Sequence, residues 1–205
     1  MTTDATPCFN ALAADTRWHA FTPDETRMVR SFTRRWKIRR GDRVLEPGCG
    51  AGRLTAVLAR LTGPRGRVVA FDSSRNFLQV AEKRGLPAQV SLHLARAQTF
   101  PLPPAGFDHI ICFNIFPHLL PQAAVTRRLV AALKPGGVFW IAHTCSRKFV
   151  NGVHRSGPPS IRDHLLPARG KLTRLLRAAG LDGIEIEDAA GHFFARAVRP
   201  AHPST

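Results

Sequence analysis

No apolar run in the chain approaches the ~18 consecutive residues that a membrane-crossing helix needs, so no membrane span is expected. The first residues, Met1 to Trp18, lack a basic end followed by an apolar stretch. No secretory signal is expected there, and a soluble cytoplasmic protein follows as the expectation. Cysteine is scarce: Cys8, Cys49, Cys112 and Cys145 are far apart, and no pair has CxxC spacing. A disulfide framework is excluded, no metal site is expected, and reduced buried thiols are the reading. Acidic residues are few, 14 against 30 basic ones, for a net charge of +16. Such a field attracts anionic partners. The basic residues are spread along the chain, however, and 25 of the 30 are Arg, a skew that also fits GC-rich coding. No basic arm dedicated to nucleic acid stands out. Internal repeats and low-complexity blocks are absent. With 205 residues, 44 % hydrophobic and 21 % charged, one globular domain with a substantial core fits.

Strands and helices alternate along most of the chain. Residues 1–40 read as a helical lead-in, with a helix starting at Pro23-Asp24-Glu25-Thr26 and carrying Met28, Val29, Phe32 and Trp36. Strands are expected at 43–46, 67–71, 90–94, 109–113 and 138–142, with Lys134-Pro135-Gly136-Gly137 as a sharp turn before the last of these. Helices are expected at 53–61, after Ser73 or Ser74, at 122–133, and around Leu172 to Ala179. Residues 143–166 read as irregular and basic. Two closing strands, 183–188 and 192–198, suggest an antiparallel edge. Residues 41–200 form the domain and 201–205 a frayed tail. A parallel sheet with right-handed crossovers follows.

The strongest local signal is Val44-Leu45-Glu46-Pro47-Gly48-Cys49-Gly50-Ala51-Gly52. Its glycines allow a tight strand-to-helix turn and leave main-chain N–H groups open to a ligand. It is neither the dinucleotide pattern GxGxxG nor the phosphate loop GxxxxGK[ST]. An acidic residue, Asp72, ends the next strand, 20 residues after Gly52.

This E-x-G-x-G-x-G turn resembles motif I of the class I S-adenosylmethionine-dependent methyltransferases, type 11-like, and the resemblance covers roughly residues 40–200. Asp72, the run Leu94 to Pro103, Phe107 to Asn114, and Leu133 to Gly137 follow in the family's order. The resemblance implies a Rossmann-like seven-stranded sheet, mostly parallel with an antiparallel edge strand and helices on both faces. It implies S-adenosyl-L-methionine as cofactor, held by Glu46, Gly48, Cys49, Gly50, Gly52, Asp72, Ser73, Phe77, Ala97, Gln98 and Asn114, with Asp72 on the ribose. One departure is Arg96, where the family often has an acidic residue for the adenine. The Ala97 backbone, the Gln98 side chain or packing on Phe77 would then serve the base.

Methyl transfer in line needs alignment and dryness, and a base only where the acceptor must lose a proton. Acceptor residues are expected beyond the ends of the fourth and fifth strands. His118 and His143 follow those ends directly and are the candidate bases, with Phe116 beside His118 near the methyl. Arg147, Asn151 and His154 would share one face if Ser146 starts a helix, and Arg147 would orient an anionic acceptor. Phe9, Leu12, Trp18, His19 and Phe21 would either cover the cofactor as a lid or pack outside the sheet. The expected activity is methyl transfer to a small-molecule acceptor by a monomer or homodimer. The alternatives are a nucleic-acid methyltransferase using the basic surface and a non-catalytic cofactor-binding regulator.

Overall fold

A computed structural model describes residues 4–201. The apolar runs form seven strands: β1 (Arg43–Pro47), β2 (Arg67–Asp72), β3 (Val90–Leu94), β4 (Phe107–Phe113), β5 (Leu133–His143), β6 (Asp182–Asp188) and β7 (Phe193–Val198). They pair into one sheet in the order β3-β2-β1-β4-β5-β7-β6. Strands β1 to β5 are mutually parallel. The closing hairpin supplies the antiparallel edge: β7 runs against both β5 and β6, so the reversed strand lies one place inside the rim. The winding direction reverses between β1 and β4, which opens a crevice at their carboxyl ends, where open α/β sheets bind ligands.

Side chains alternate across each strand, and both faces are buried. Leu45, Val69, Ile110 and Phe139 join one core with Val125 and Leu129 of α5 (Gln122–Ala132) and Leu172 and Leu176 of α7 (Arg169–Ala178). Their neighbours Val44, Val68, Ile111 and Trp140 face the other way, onto Phe32 and Trp36 of α2 (Pro23–Trp36) and Leu54 and Leu58 of α3 (Arg53–Thr62). Burial of each large side chain contributes about 1.5–3 kcal/mol. Leu78 of α4 (Arg75–Glu82) packs with Ala70 and Leu92. Among the described residues no helix is long and apolar enough to cross a membrane, and all four cysteines are free.

Helix starts follow from their caps. Thr22 accepts from the Glu25 backbone N–H while the Glu25 carboxylate accepts from that of Thr22. Ser74, rather than Ser73, caps α4.

Three expectations change. Residues 134–137 do not end β5's pairing; they bulge out of it, since Phe107 pairs with Leu133 and His109 with Val138. The segment 143–166 is not wholly irregular. Ser146 accepts from the Phe149 N–H and starts α6 (Arg147–Ser156). The boundary at residue 40 does not divide the packing, because Trp36 of α2 is fully buried against the sheet. The part of the lead-in that lies over the crevice is shorter: α1 (Thr6–Leu12) and a 3-10 turn at Thr16–Trp18. The tail positions 202–205, like 1–3, lie outside the described residues.

Candidate active site

The crevice is a cavity of about 650 Å3 lined by both ends of the β1–β4 switch, the lead-in and α6. Its floor is the glycine turn. Gly48, Gly50 and Gly52 all have positive φ. A Cβ on Gly48 would lie 2.2 Å from Ile115 Cγ1, so the turn after β4 can approach only a glycine there. A Cβ on Gly50 would meet no protein atom within 4 Å, yet Gly50 lines the cavity, so the room it leaves belongs to a ligand. Gly52 does not line the cavity; a Cβ there would press on Ala81 of α4 at 3.0 Å.

Donor availability in the turn differs from the expectation. The N–H groups of Gly48 and Cys49 donate to the Phe71 carbonyl, that of Gly50 to Asp72 Oδ2 and that of Gly52 to the Cys49 carbonyl. These four donors are satisfied within the protein, so the glycines contribute space to the site rather than N–H groups. Asp72 lines the cavity, accepting from Gly50 N–H and Ser74 N–H at 2.8 Å each. Burial raises its carboxyl pKa and these backbone bonds oppose the shift. Glu46 does not reach the cavity wall. It is buried beneath the turn and accepts from Thr55 Oγ1 of α3 at 2.6 Å. Burial first, and Asp72 nearby, push its carboxyl up to about 8 despite that bond. Cys49 lines the cavity, and burial raises its thiol pKa.

Ser73, Phe77, Ala97 and Gln98 also line the cavity. Gln98 Nε2 donates to the Leu120 carbonyl at 2.5 Å, so its amide is committed to the turn after β4. Arg96 bonds Asp4 of the lead-in at 2.6 Å, which holds the Asp4 carboxyl down to about 2. The basic residue in this loop thus ties the lead-in down across the cavity. Phe9, Leu12 and Trp18 line it, whereas Phe21 packs edge-on against Phe113 and under Arg53. His19 Nε2 is engaged by the Ala13 carbonyl. Asn114, also on the wall, adopts φ 53° and bonds Thr144 through both amide atoms, joining the ends of β4 and β5.

At the other end of the cavity four histidines gather: His118, His143, His154 and His164. The His118 and His154 rings lie 4.7 Å apart, and His118 Nδ1 is 2.9 Å from His164 Nδ1. His143 Nε2 and His164 Nε2 are buried without a hydrogen-bond partner. Burial holds His118 well below its usual pKa, with the other three histidines adding repulsion, and takes His143 down to about 3. Among the described residues no group of three or more His, Cys, Asp or Glu side chains is arranged to hold a metal ion. Arg147 is not part of this end. Its Nε donates to Asp188 of β6 at 2.7 Å and it does not line the cavity. Asn151 is occupied as well, bonding the Leu166 backbone N–H and carbonyl. Phe116 is fully buried in the sheet's core, away from the cavity wall.

The profile of the methyltransferase domain family matches residues 38–180. The chain belongs to the class I S-adenosylmethionine-dependent methyltransferases. Methyltransferase GfsG of Streptomyces halstedii is 32% identical over 173 residues, covering 80% of this chain and 61% of that protein. A ubiquinone biosynthesis O-methyltransferase of Xanthomonas axonopodis pv. citri is 28% identical over 169 residues, covering 75% of this chain and 67% of its own length. The chain therefore spans only about two thirds, or less, of the length of these curated relatives. A SAM-dependent methyltransferase structure from Aquifex aeolicus superposes with a TM-score of 0.66 at 21% identity, covering 95% of this chain and 98% of that one. At that identity the likeness speaks for the fold.

The cofactor of these methyltransferases fits the residues present. Gly50 leaves a space that any side chain would fill. A carboxylate can accept about four hydrogen bonds, so Asp72 keeps capacity for two hydroxyls beyond its two backbone bonds. Phe77 and Ala97 offer an apolar wall for a flat base. Sequence reasoning missed Asp4 and His164 and gave His154 no leading role. Their only signal was a set of polar residues whose partners lie far along the chain.

Proposed function

We propose that this methyltransferase transfers the methyl group of S-adenosylmethionine to a hydroxyl on a small acceptor with a largely apolar body. The bound cofactor supplies an electrophilic methyl on a sulfonium whose leaving group is neutral. Gly50 gives it room, Gly48 lets Ile115 close in beside it, Asp72 accepts from the ribose, and Ser73, Phe77, Ala97, Gln98 and Asn114 surround the remainder. Glu46 and Gly52 act from behind, by fixing the turn on α3 and α4. The cytoplasm as location, and a monomer or homodimer as the working state, belong to the same reading.

The observation that carries the choice of acceptor is the pairing of apolar walls with unpartnered imidazole nitrogens. Among the described residues, three of the four exposed large hydrophobic side chains rim this cavity: Trp18 (43 %), Phe149 (60 %) and Val153 (51 %). Exposed apolar groups gathered at one mouth favour an apolar ligand. The two guanidinium groups on the wall, Arg53 and Arg96, are paired with Glu25 and Asp4 rather than offered to phosphates. That one relative is a ubiquinone biosynthesis O-methyltransferase agrees with a hydroxyl acceptor.

The test is incubation of the chain with S-adenosylmethionine and a panel of phenols, catechols and apolar aliphatic alcohols, read by mass spectrometry. A gain of one methylene that is lost on mild demethylation of the oxygen is expected. No gain on any of these, together with salt-dependent retention and methylation of RNA, would replace this reading by the nucleic-acid one.

A further inference from the structure

We propose that His154 is the general base, held in its working tautomer by the backbone of His164. This rests on the hydroxyl-acceptor reading above. A carbonyl can only accept, so the contact between His154 Nδ1 and the His164 carbonyl fixes the proton on Nδ1. In the neutral ring Nε2 then carries a bare lone pair, on the opposite side from that bond. His154 lines the cavity, and its ring stacks at a tilt on His118.

The other three histidines lack this fixed arrangement. His118 and His164 face each other Nδ1 to Nδ1, where one proton is shared by two nitrogens, so either tautomer satisfies the pair. His143 is sealed at the end of β5 with no hydrogen bond to set its proton, and its low pKa makes it a weak base near neutrality. Burial lowers the His154 pKa, and the bond to the His164 carbonyl works against that shift. The groups facing it are His118 from the 3-10 turn after β4, His143 from β5 and His164 from the segment after α6. Asp163 stands beside His164, and Arg155 follows on its own helix. No carboxylate contacts His154 to make it a cation at rest.

The step balances simply. The acceptor oxygen forms its bond to the methyl carbon, the carbon–sulfur bond breaks with its electron pair going to sulfur, and the hydroxyl proton moves to His154 Nε2. The imidazolium then loses that proton to water.

The test uses two phenols of different acidity, 4-methylphenol and 4-nitrophenol, because the second ionises unaided near neutral pH. His154→Asn places an amide N–H where Nδ1–H stood, which keeps the donor to His164 and removes the base. We expect kcat/KM for 4-methylphenol to fall ~100-fold or more and that for 4-nitrophenol to change less than about threefold. Calorimetric affinity for S-adenosylhomocysteine should stay unchanged. An equal loss with both phenols would assign His154 a structural role and overturn the proposal. If the wild-type chain methylates neither these phenols nor any other member of the hydroxyl panel, the hydroxyl-acceptor reading fails, and nitrogen-15 spectra of the histidine-labelled chain still decide on the base. A protonated Nδ1 with bare Nε2 on His154 supports the proposal, whereas a proton on Nε2 overturns it.

Discussion

Replacing Glu46 by Gln should stabilise the protein and remove the part of its pH response that comes from this carboxyl. Glu46 is buried beneath the glycine turn, with Thr55 Oγ1 donating to it and Asp72 close by. Its carboxyl is raised from 4.5 to about 8, so the native state holds a proton that the unfolded chain releases above its own pKa. The native state thus binds more protons between those two values, and stability must fall as pH rises through that window. At 1.36 kcal/mol per pKa unit, a rise from 4.5 to about 8 corresponds to about 5 kcal/mol of stability present below the unfolded pKa and gone once the native carboxyl ionises. Glutamine is neutral throughout, keeps an oxygen for Thr55 and has nearly the same volume. Thermal or urea unfolding of both proteins from pH 4.5 to 8.5 is the assay. The buried histidines add stability as pH rises in both proteins alike, so the wild type should lose stability relative to the variant, the two curves separating increasingly toward pH 8.5 with the variant on top. Parallel curves, or a wild type that gains stability with pH relative to the variant, would show that Glu46 is ionised in the fold and refute the reasoning.

Gly50→Val should abolish binding of S-adenosylhomocysteine in calorimetry while costing only about 1–2 kcal/mol of stability for a side chain at positive φ, because its Cβ meets no protein atom. Asp72→Asn should weaken the same ligand by about 1.5–3 kcal/mol, since one charged acceptor is lost; wild-type affinity would remove Asp72 from the ribose. Arg147→Ala should leave turnover within about twofold and slightly lower the melting temperature, because its partner is Asp188 at the surface and such pairs are worth about 0–1 kcal/mol. A large rise in KM in that variant would return Arg147 to the substrate.

The sheet was legible because buried parallel strands must be apolar on both faces. Val68-Val69-Ala70-Phe71 and Ile110-Ile111-Cys112-Phe113 are runs of this kind, and every one of their residues is buried. The hairpin of β6 and β7 was legible from its central Gly191. Less legible was α6, whose run Arg147 to Ser156 is mostly polar and includes Gly152. Its helix forms because Ser146 caps it and because Asn151 and His154 find buried partners in residues 164–166. Those partners are a tertiary matter that local spacing does not encode. The bulge at 134–137 looked like a turn for a sound local reason, the Pro135-Gly136-Gly137 sequence. Pairing with β4 on both sides of it, and with β7 from Val138 on, keeps the chain within the sheet.

The same division runs through the site. The cofactor end is read from sequence because its geometry is local: a strand, a turn that must be glycine, and an acid at the next strand end. Even there the spacing misled in one respect, for the N–H groups that seemed offered to a ligand are taken by Phe71 and Asp72, and Glu46 serves the turn from below. The acceptor end is assembled from four separate segments. His118 and His143 sit where strand ends must place them, but His164 arrives from a proline-flanked stretch with no periodicity. Arg147 shares helical spacing with Asn151 and His154, yet it occupies the first turn, where the end of β6 brings Asp188 within reach. A helical face specifies direction only to within a turn or so; which side chain enters the cavity is decided by the strand that passes its end. On the function proposed above, acceptor recognition rests on contacts across 10 to 46 residues, such as His154 with His164 and His118 with His164, and substitutions in the loop between α6 and α7 should alter it without disturbing the cofactor end.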